Sequence, residues 1–275
     1  MKTELKFRKL KNIIKNTGGL AVAFSGGVDS TFLLKTAHDV LGKRALAVIA
    51  RSSTYPSREF RAALGFVRKN KIPHQVITSE ELDIKGFSNN PANRCYYCKL
   101  ELFKKIKAEA KKHGLKRVAD GSNADDAGDY RPGMRAVKEL KVLSPLKRAG
   151  FTKQEIRLLS KKAGLPTWDK PAMACLASRF PYGNEITREK LGMVEKAELA
   201  LFALGFRQVR VRHHGDIARI EVAREEIKEF LDKNIMGKAD LQLKKLGFKY
   251  VSLDLMGYRT GSMNETLPTG ARDKK

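Results

Sequence analysis

The chain has 275 residues, 42% hydrophobic and 31% charged, a balance that suits a folded globular protein and is too apolar for a disordered one. Its 55 Lys and Arg against 30 Asp and Glu leave a formal charge of +25, which attracts polyanions such as nucleic acid, nucleotides and phosphorylated metabolites. No stretch approaches the ~18 apolar residues that cross a bilayer, and the basic segment from Met1 to Gly19 lacks the apolar run of a secretory signal, so no membrane partner is expected.

Phe7, Leu10, Ile13 and Ile14 fall at helical spacing and predict a surface helix. The apolar run from Leu20 to Phe24 reads as a strand that ends in Ser25-Gly26-Gly27-Val28-Asp29-Ser30, with a helical pattern from Thr31 to about Leu41. Ala45 to Ala50 predicts a buried strand, Pro56 to Asn70 a helix, and His74 to Ile77 a third strand. Leu100 to His113 predicts a helix, and Val118 to Asp120 a fourth strand leading into Gly121-Ser122-Asn123. Strands alternating with helices of this length imply parallel β-α-β units, hence a three-layer α/β sheet with helices on both faces.

Composition changes near Pro181-Tyr182-Gly183. Beyond it come a helical pattern from Thr187 to Leu204 and two alternating strands, Gln208 to Arg212 and Ile217 to Val222, with His213 to Asp216 as a hairpin turn. Further helices reach Leu246, and Tyr250 to Leu253 is the last strand. This organisation predicts a nucleotide-binding α/β domain over 1–183 and a small α+β domain over 184–275 for substrate binding and oligomerisation, closed by a disordered tail from Arg272 to Lys275.

The segment from Ser25 to Ser30 is the strongest chemical signal. Gly26 and Gly27 let the backbone turn tightly and aim N–H groups inward, and the following helix adds its positive N-terminal end. Ser25 and Ser30 are candidate donors to phosphate oxygens, and Asp29 is a candidate Mg²⁺ ligand. The lysine of a Walker loop is missing, and a plain Gly-Gly turn is the alternative reading.

The three cysteines, Cys95 and Cys98 in a C-x-x-C and Cys175 alone, are too few for a disulfide scaffold and point to a reducing cytoplasm. Three readings stay open: small buried hydrophobes, a redox dithiol, or a three-thiolate metal site. Three thiolates suit a [4Fe–4S] cluster with one iron open to sulfide, or zinc with a water as fourth ligand. Lys170 and Arg179 flank Cys175, and nearby cations favour a thiolate.

The loop at Ser25–Ser30 resembles the SGGxDS signature of the PP-loop ATP pyrophosphatases. The resemblance implies a five-stranded, adenine-nucleotide α-hydrolase-like sheet and cleavage of ATP between its α- and β-phosphates. AMP passes to a substrate oxygen, and pyrophosphate leaves from the loop. The block Gly121 to Asp126 matches a second family region that faces nucleotide and pyrophosphate, which makes Gly121, Asn123, Asp125 and Asp126 candidate contacts. A helix N-cap is the other reading of these aspartates.

Taken together, SGGVDS, NRCYYCK, GSNADD, WDKPAMACLASRFPYG, VRVRHHGDIARIE and DLMGYRTGSMNE resemble the LarE family of sulfur transferases over nearly the whole chain. The resemblance implies an enzyme of nickel-pincer nucleotide cofactor biosynthesis that uses ATP and Mg²⁺. Such enzymes adenylate a carboxylate of a pyridinium biscarboxylic acid mononucleotide and convert it to a thiocarboxylate. In founding members the cysteine matching Cys175 donates its sulfur and ends as dehydroalanine. In a three-cysteine group a [4Fe–4S] cluster carries the sulfide, and this chain keeps Cys95, Cys98 and Cys175. The implied partners are the small nucleotide substrate, a sulfide donor and further copies of the chain.

Within this picture Arg210 and Arg212 present two guanidinium forks on one strand face for the substrate phosphate, with solvent exposure as the alternative. Ser178 and Arg179 are candidate substrate contacts near the donor sulfur, and Glu221 a candidate metal or ribose ligand. A PP-loop tRNA thiolase is the competing enzyme, weakened by the lack of zinc-ribbon cysteine pairs. A non-catalytic basic protein that binds nucleotides or RNA is the competing class, weakened by the intact loop.

Overall fold

The computed structural model describes residues 2–128 and 132–264; the expected tail over 272–275, and Glu265 of the last motif, lie outside the described residues. The chain divides into two compact units, Met1–Glu80 with Asn93–Met173, and Glu81–Ala92 with Ala174–Lys275. No helix among the described residues is long and apolar enough to cross a membrane.

The first unit runs α1 (Lys2–Lys15), β1 (Leu20–Ala23), α2 (Val28–Leu41), β2 (Ala45–Arg51), α3 (Ser57–Lys69), β3 (His74–Thr78), α4 (Arg94–Lys112), β4 (Val118–Ala119), α5 (Gly133–Glu139), α6 (Pro145–Ala149) and α7 (Lys153–Lys162). Its four strands are parallel in the order β3-β2-β1-β4. Leu20 and Val22 of β1 face the layer that holds Leu10, Ile14, Phe32 and Leu33, while Ala21 joins Phe103, Ile106 and Ala110 on the other face. A strand covered on both faces has no polar side to show, which is why β1 and most of β2 read as apolar runs, while the edge strand β3 carries His74, Gln75 and Thr78. The helix expected on the surface, α1, buries Leu10 and Ile14 completely; each such side chain contributes about 1.5–3 kcal/mol.

Among the described residues, a single parallel bridge from Ala119 to Leu143 is found in place of the fifth strand implied by the family resemblance. Pairing stops there because the Ser144 hydroxyl turns to Asp120 at 2.7 Å and Pro145, with no N–H to give a ladder, opens α6. Two helices begin earlier than the pattern predicts. Starting at Val28 instead of Thr31, α2 takes Asp29 and Ser30 into its first turn; starting at Arg94 instead of Leu100, α4 takes in the C-x-x-C.

The second unit comprises α8 (Arg188–Ala203), β5 (Val209–His214), β6 (Ile217–Val222), α9 (Ile227–Phe230), α10 (Lys233–Lys245) and β7 (Tyr250–Leu253). β5 and β6 form an antiparallel hairpin whose strands run to His214 and Ile217, so Gly215, at φ 64°, and Asp216 make the turn. β7 adds in parallel to β6. Inward residues Val209, Val211, Ile220 and Val222 pack with Ala197, Leu201 and Leu243. The sequence pattern puts its change of domain at 183/184, whereas compactness changes over at Met173 and Ala174. Residues 174–183 go with this unit because Arg179 pairs with Glu198 of α8, and Asn90 of the 81–92 segment donates to the Pro181 carbonyl at 2.7 Å.

Candidate active site

β1 and β4 are neighbours, yet the chain goes from β1 outward to β2 and β3 before returning to β4 on the other side. The order therefore reverses between β1 and β4, and the crevice beyond the carboxyl ends of those two strands is where open α/β sheets take ligands. The loops that leave these ends are Ser25 to Ser30 and Gly121 to Asp126. The sheet places the two strongest sequence blocks side by side.

Gly26 turns the loop with φ 63°, and Gly27 caps α2 in extended backbone without any side-chain cap bond. The Ser25 and Ser30 hydroxyls are 3.1 Å apart, and Ser30 Oγ also reaches the Gly27 carbonyl at 3.2 Å. A Cβ on Gly121 would lie 3.1 Å from the Ser30 nitrogen, so only glycine lets the second loop approach this closely. Asn123 Nδ2 donates to Asp29 Oδ1 at 3.3 Å, while its own Oδ1 accepts from the Asp125 amide at 2.9 Å. Asp126 Oδ2 accepts from the Asn123 amide at 2.9 Å. Asp29 Oδ2 pairs with Lys153 Nζ, and the Lys153 amide donates to Asp125 Oδ2 at 2.8 Å.

Lys153 lies in the stretch from Ser144 to Pro166, which resembles a third PP-loop family region, but its sequence alone assigns it no role. Its signal is the capping box that surrounds it. Thr152 accepts from the Glu155 amide and Glu155 Oε2 accepts from the Thr152 amide, which fixes Lys153 at the first position of α7. Asp29 offers oxygens of the hard type that Mg²⁺ takes, so its chemistry fits the ion, although Asn123 and Lys153 engage both oxygens here.

Cys95 and Cys98 stand three residues apart in the first turn of α4, hence on one face, and Tyr96 ties that turn to α5 through Glu139 at 2.7 Å. Cys175 belongs to the second unit, just before a short turn over Leu176–Arg179. None of the three is in a disulfide. Within neither unit, among the described residues, do three His, Cys, Asp or Glu gather as metal ligands. The donor chemistry is that of an iron–sulfur or zinc site. Of the two cations that flank Cys175 in sequence, Lys170 is held by the Gly26 carbonyl and Glu59, and Arg179 grips the carbonyls of Ala174 and Cys175 at 2.9 and 3.1 Å.

Arg179, Arg210 and Arg212 are all buried, so the solvent-exposed reading of the paired arginines does not hold. Arg179 makes a bidentate pair with Glu198 at 2.8 and 2.9 Å. Arg212 makes another with Glu221 at 3.0 and 2.6 Å and donates to the Ser178 carbonyl at 2.8 Å. Glu221 also accepts from Arg219 and Ser262, so both oxygens of this candidate metal or ribose ligand are occupied by side-chain donors. Arg210 lies over the Tyr258 ring, and burial together with the neighbouring Arg179 pushes its pKa down to about 10. Three buried arginines face two buried glutamates, a local surplus of positive charge that an anion would neutralise.

No protein-family model matches the chain. It is 42% identical to an uncharacterized protein of Synechocystis over 96% of this chain and 98% of the relative. It is 40% identical to the pyridinium-3,5-bisthiocarboxylic acid mononucleotide synthase of Lactiplantibacillus plantarum over 92% of each. A tRNA-specific 2-thiouridylase of Rickettsia typhi is 28% identical over 55% of this chain and 52% of its own.

Proposed function

The chain belongs to the LarE family of ATP-dependent sulfur transferases, and from that membership we propose that it converts a carboxylate of a pyridinium biscarboxylic acid mononucleotide to a thiocarboxylate for nickel-pincer nucleotide cofactor biosynthesis. The observation that carries the reading is the meeting of the 25–30 and 121–126 loops around the Asp29–Lys153 pair, at the reversal of strand order.

A substrate carboxylate oxygen attacks the α-phosphorus of ATP, the bond to the bridging oxygen breaks, and pyrophosphate leaves with the electron pair. The Gly26 and Gly27 amides and the Ser25 and Ser30 hydroxyls hold its oxygens. Lys153 meets the charge that grows on the leaving group, and a preset cation of this kind contributes most when it needs no reorganisation. With Lys153 turned to phosphate, Asp29 would hold Mg²⁺, which would supply positive charge to the phosphate oxygens. Gly121, Asn123 and Asp125 line the nucleotide side. A sulfide-level nucleophile then attacks the acyl carbon, and AMP departs. Arg210 and Arg212, with Ser178 and Arg179, receive the substrate phosphate; the depressed pKa of Arg210 and the excess buried positive charge support this assignment.

Cys95, Cys98 and Cys175 would hold a [4Fe–4S] cluster, with zinc as the alternative metal. When bound, such a cluster leaves one iron open to sulfide from a donor. The enzyme works in the cytoplasm as a homo-oligomer.

Incubation with ATP and the carboxylated pyridinium nucleotide should yield AMP, pyrophosphate and thiocarboxylate. Release of ADP, or thiolation of tRNA with the pyridinium nucleotide untouched, would overturn the reading. Anaerobic preparations should contain iron and acid-labile sulfide that vanish in Cys95→Ala. After turnover the Cys175 peptide should keep its mass; a loss of about 34 Da, one H₂S, would mark Cys175 itself as the donor.

A further inference from the structure

Two consecutive carbonyls of the phosphate loop are held by side chains from elsewhere in the first unit. The Tyr55 hydroxyl, between β2 and α3, donates to the Ser25 carbonyl at 2.7 Å. The Lys170 ammonium donates to the Gly26 carbonyl at 2.9 Å and is anchored at 2.5 Å by Glu59, a buried carboxylate in the first turn of α3. A Cβ on Gly26 would lie 3.1 Å from that of Ala63, also on α3. All of these contacts fall on the α3 side of the loop.

A trans peptide is planar, with its N–H opposite its C=O, and no described peptide bond is cis. Carbonyls drawn toward α3 therefore turn the N–H groups of Gly26 and Gly27 the other way, where the first turn of α2 carries no side-chain cap. Glycines alone do not keep this orientation. Without a Cβ the peptide between them rotates at little cost, and the rotated form shows an oxygen to an incoming anion.

We propose that Tyr55 and Lys170 are positioning residues that lock both glycine peptides with their amides outward, so the loop is set for a diphosphate before one arrives. This rests on the reading of the loop as the pyrophosphate grip. Burial and the Glu59 carboxylate push the Tyr55 phenol well above its usual range, which keeps it a donor. Fixing the amides beforehand removes an ordering cost from binding.

The test titrates inorganic pyrophosphate and AMP into the full-length protein, wild type, Tyr55→Phe and Lys170→Met, and records the Gly26 and Gly27 amide resonances in each ligand-free form. Pyrophosphate should bind about tenfold more weakly to each variant, the size expected for one lost hydrogen bond in a charged setting. AMP, which has no diphosphate, should bind as before, and both glycine resonances should move. Unchanged pyrophosphate binding, or an equal loss for AMP, overturns the proposal. A loss confined to Lys170→Met reports bare charge and overturns it too, because Tyr55→Phe removes only a hydroxyl. Wild type that ignores pyrophosphate removes the reading of the loop itself.

Discussion

Around the phosphate loop, paired charges keep part of their surface in water: Asp29 and Lys153 are 20% and 35% exposed. In the second unit Arg179 and Glu198 stand at 0% and 4%, and Arg212 and Glu221 at 5% and 0%. The residue types are alike and the consequences differ. A half-exposed pair is worth little by itself, so either partner changes hands readily when phosphate or a cation comes in. A buried bidentate pair has no water to replace a lost partner and acts as fixed scaffold. The Asp29–Lys153 pair is arranged to exchange ions, whereas Arg179 and Arg212 are held in one position, as is Lys170 by the buried Glu59.

Breaking a buried pair should have the largest effect. Glu198→Ala strands the Arg179 guanidinium and removes the acceptor of the Val211 amide, so denaturant unfolding should show a loss of about 3–5 kcal/mol. A transition within experimental error of wild type would erase the contrast. Lys153→Met should do the opposite: kcat/KM for ATP splitting falls about 10- to 100-fold while the unfolding midpoint stays nearly in place. Gly121→Ala sharpens the comparison at the contact between the two loops. Its methyl presses on the Ser30 backbone and should cost about 1–2 kcal/mol of stability, with weaker ATP binding by calorimetry.

The smallest effect concerns pH. Burial lowers the pKa of His213 and of His214. Between the lowered folded value and the unfolded value near 6.5 the unfolded chain binds more protons. Stability is therefore full above about pH 6.5 and declines as pH falls through that window. Urea titrations from about pH 8 to pH 5 should show this slope, and a His213→Gln, His214→Gln chain should lose it.

Much of the first unit was legible because its signals are local. Strands covered on both faces must be apolar throughout, and a Gly-Gly turn between strand and helix announces a phosphate cradle wherever it lies. The Arg210 and Arg212 pair was legible as a shared strand face, since side chains alternate with period two. Its burial was not, because the charges that permit it, Glu198 and Glu221, come from a helix and from the neighbouring strand.

The sequence by itself determined the parallel α/β class, the phosphate loop and the family, since each is written in contiguous residues. Only the tertiary structure decided that Lys153 meets Asp29 across 124 positions, that Lys170 reaches back to Gly26 across 144, and that Leu143 joins the sheet by a bridge beside β4. The reason is that an ion pair or a strand contact depends on which side chains the fold brings within about 3 Å, and spacing along a chain carries no record of that distance.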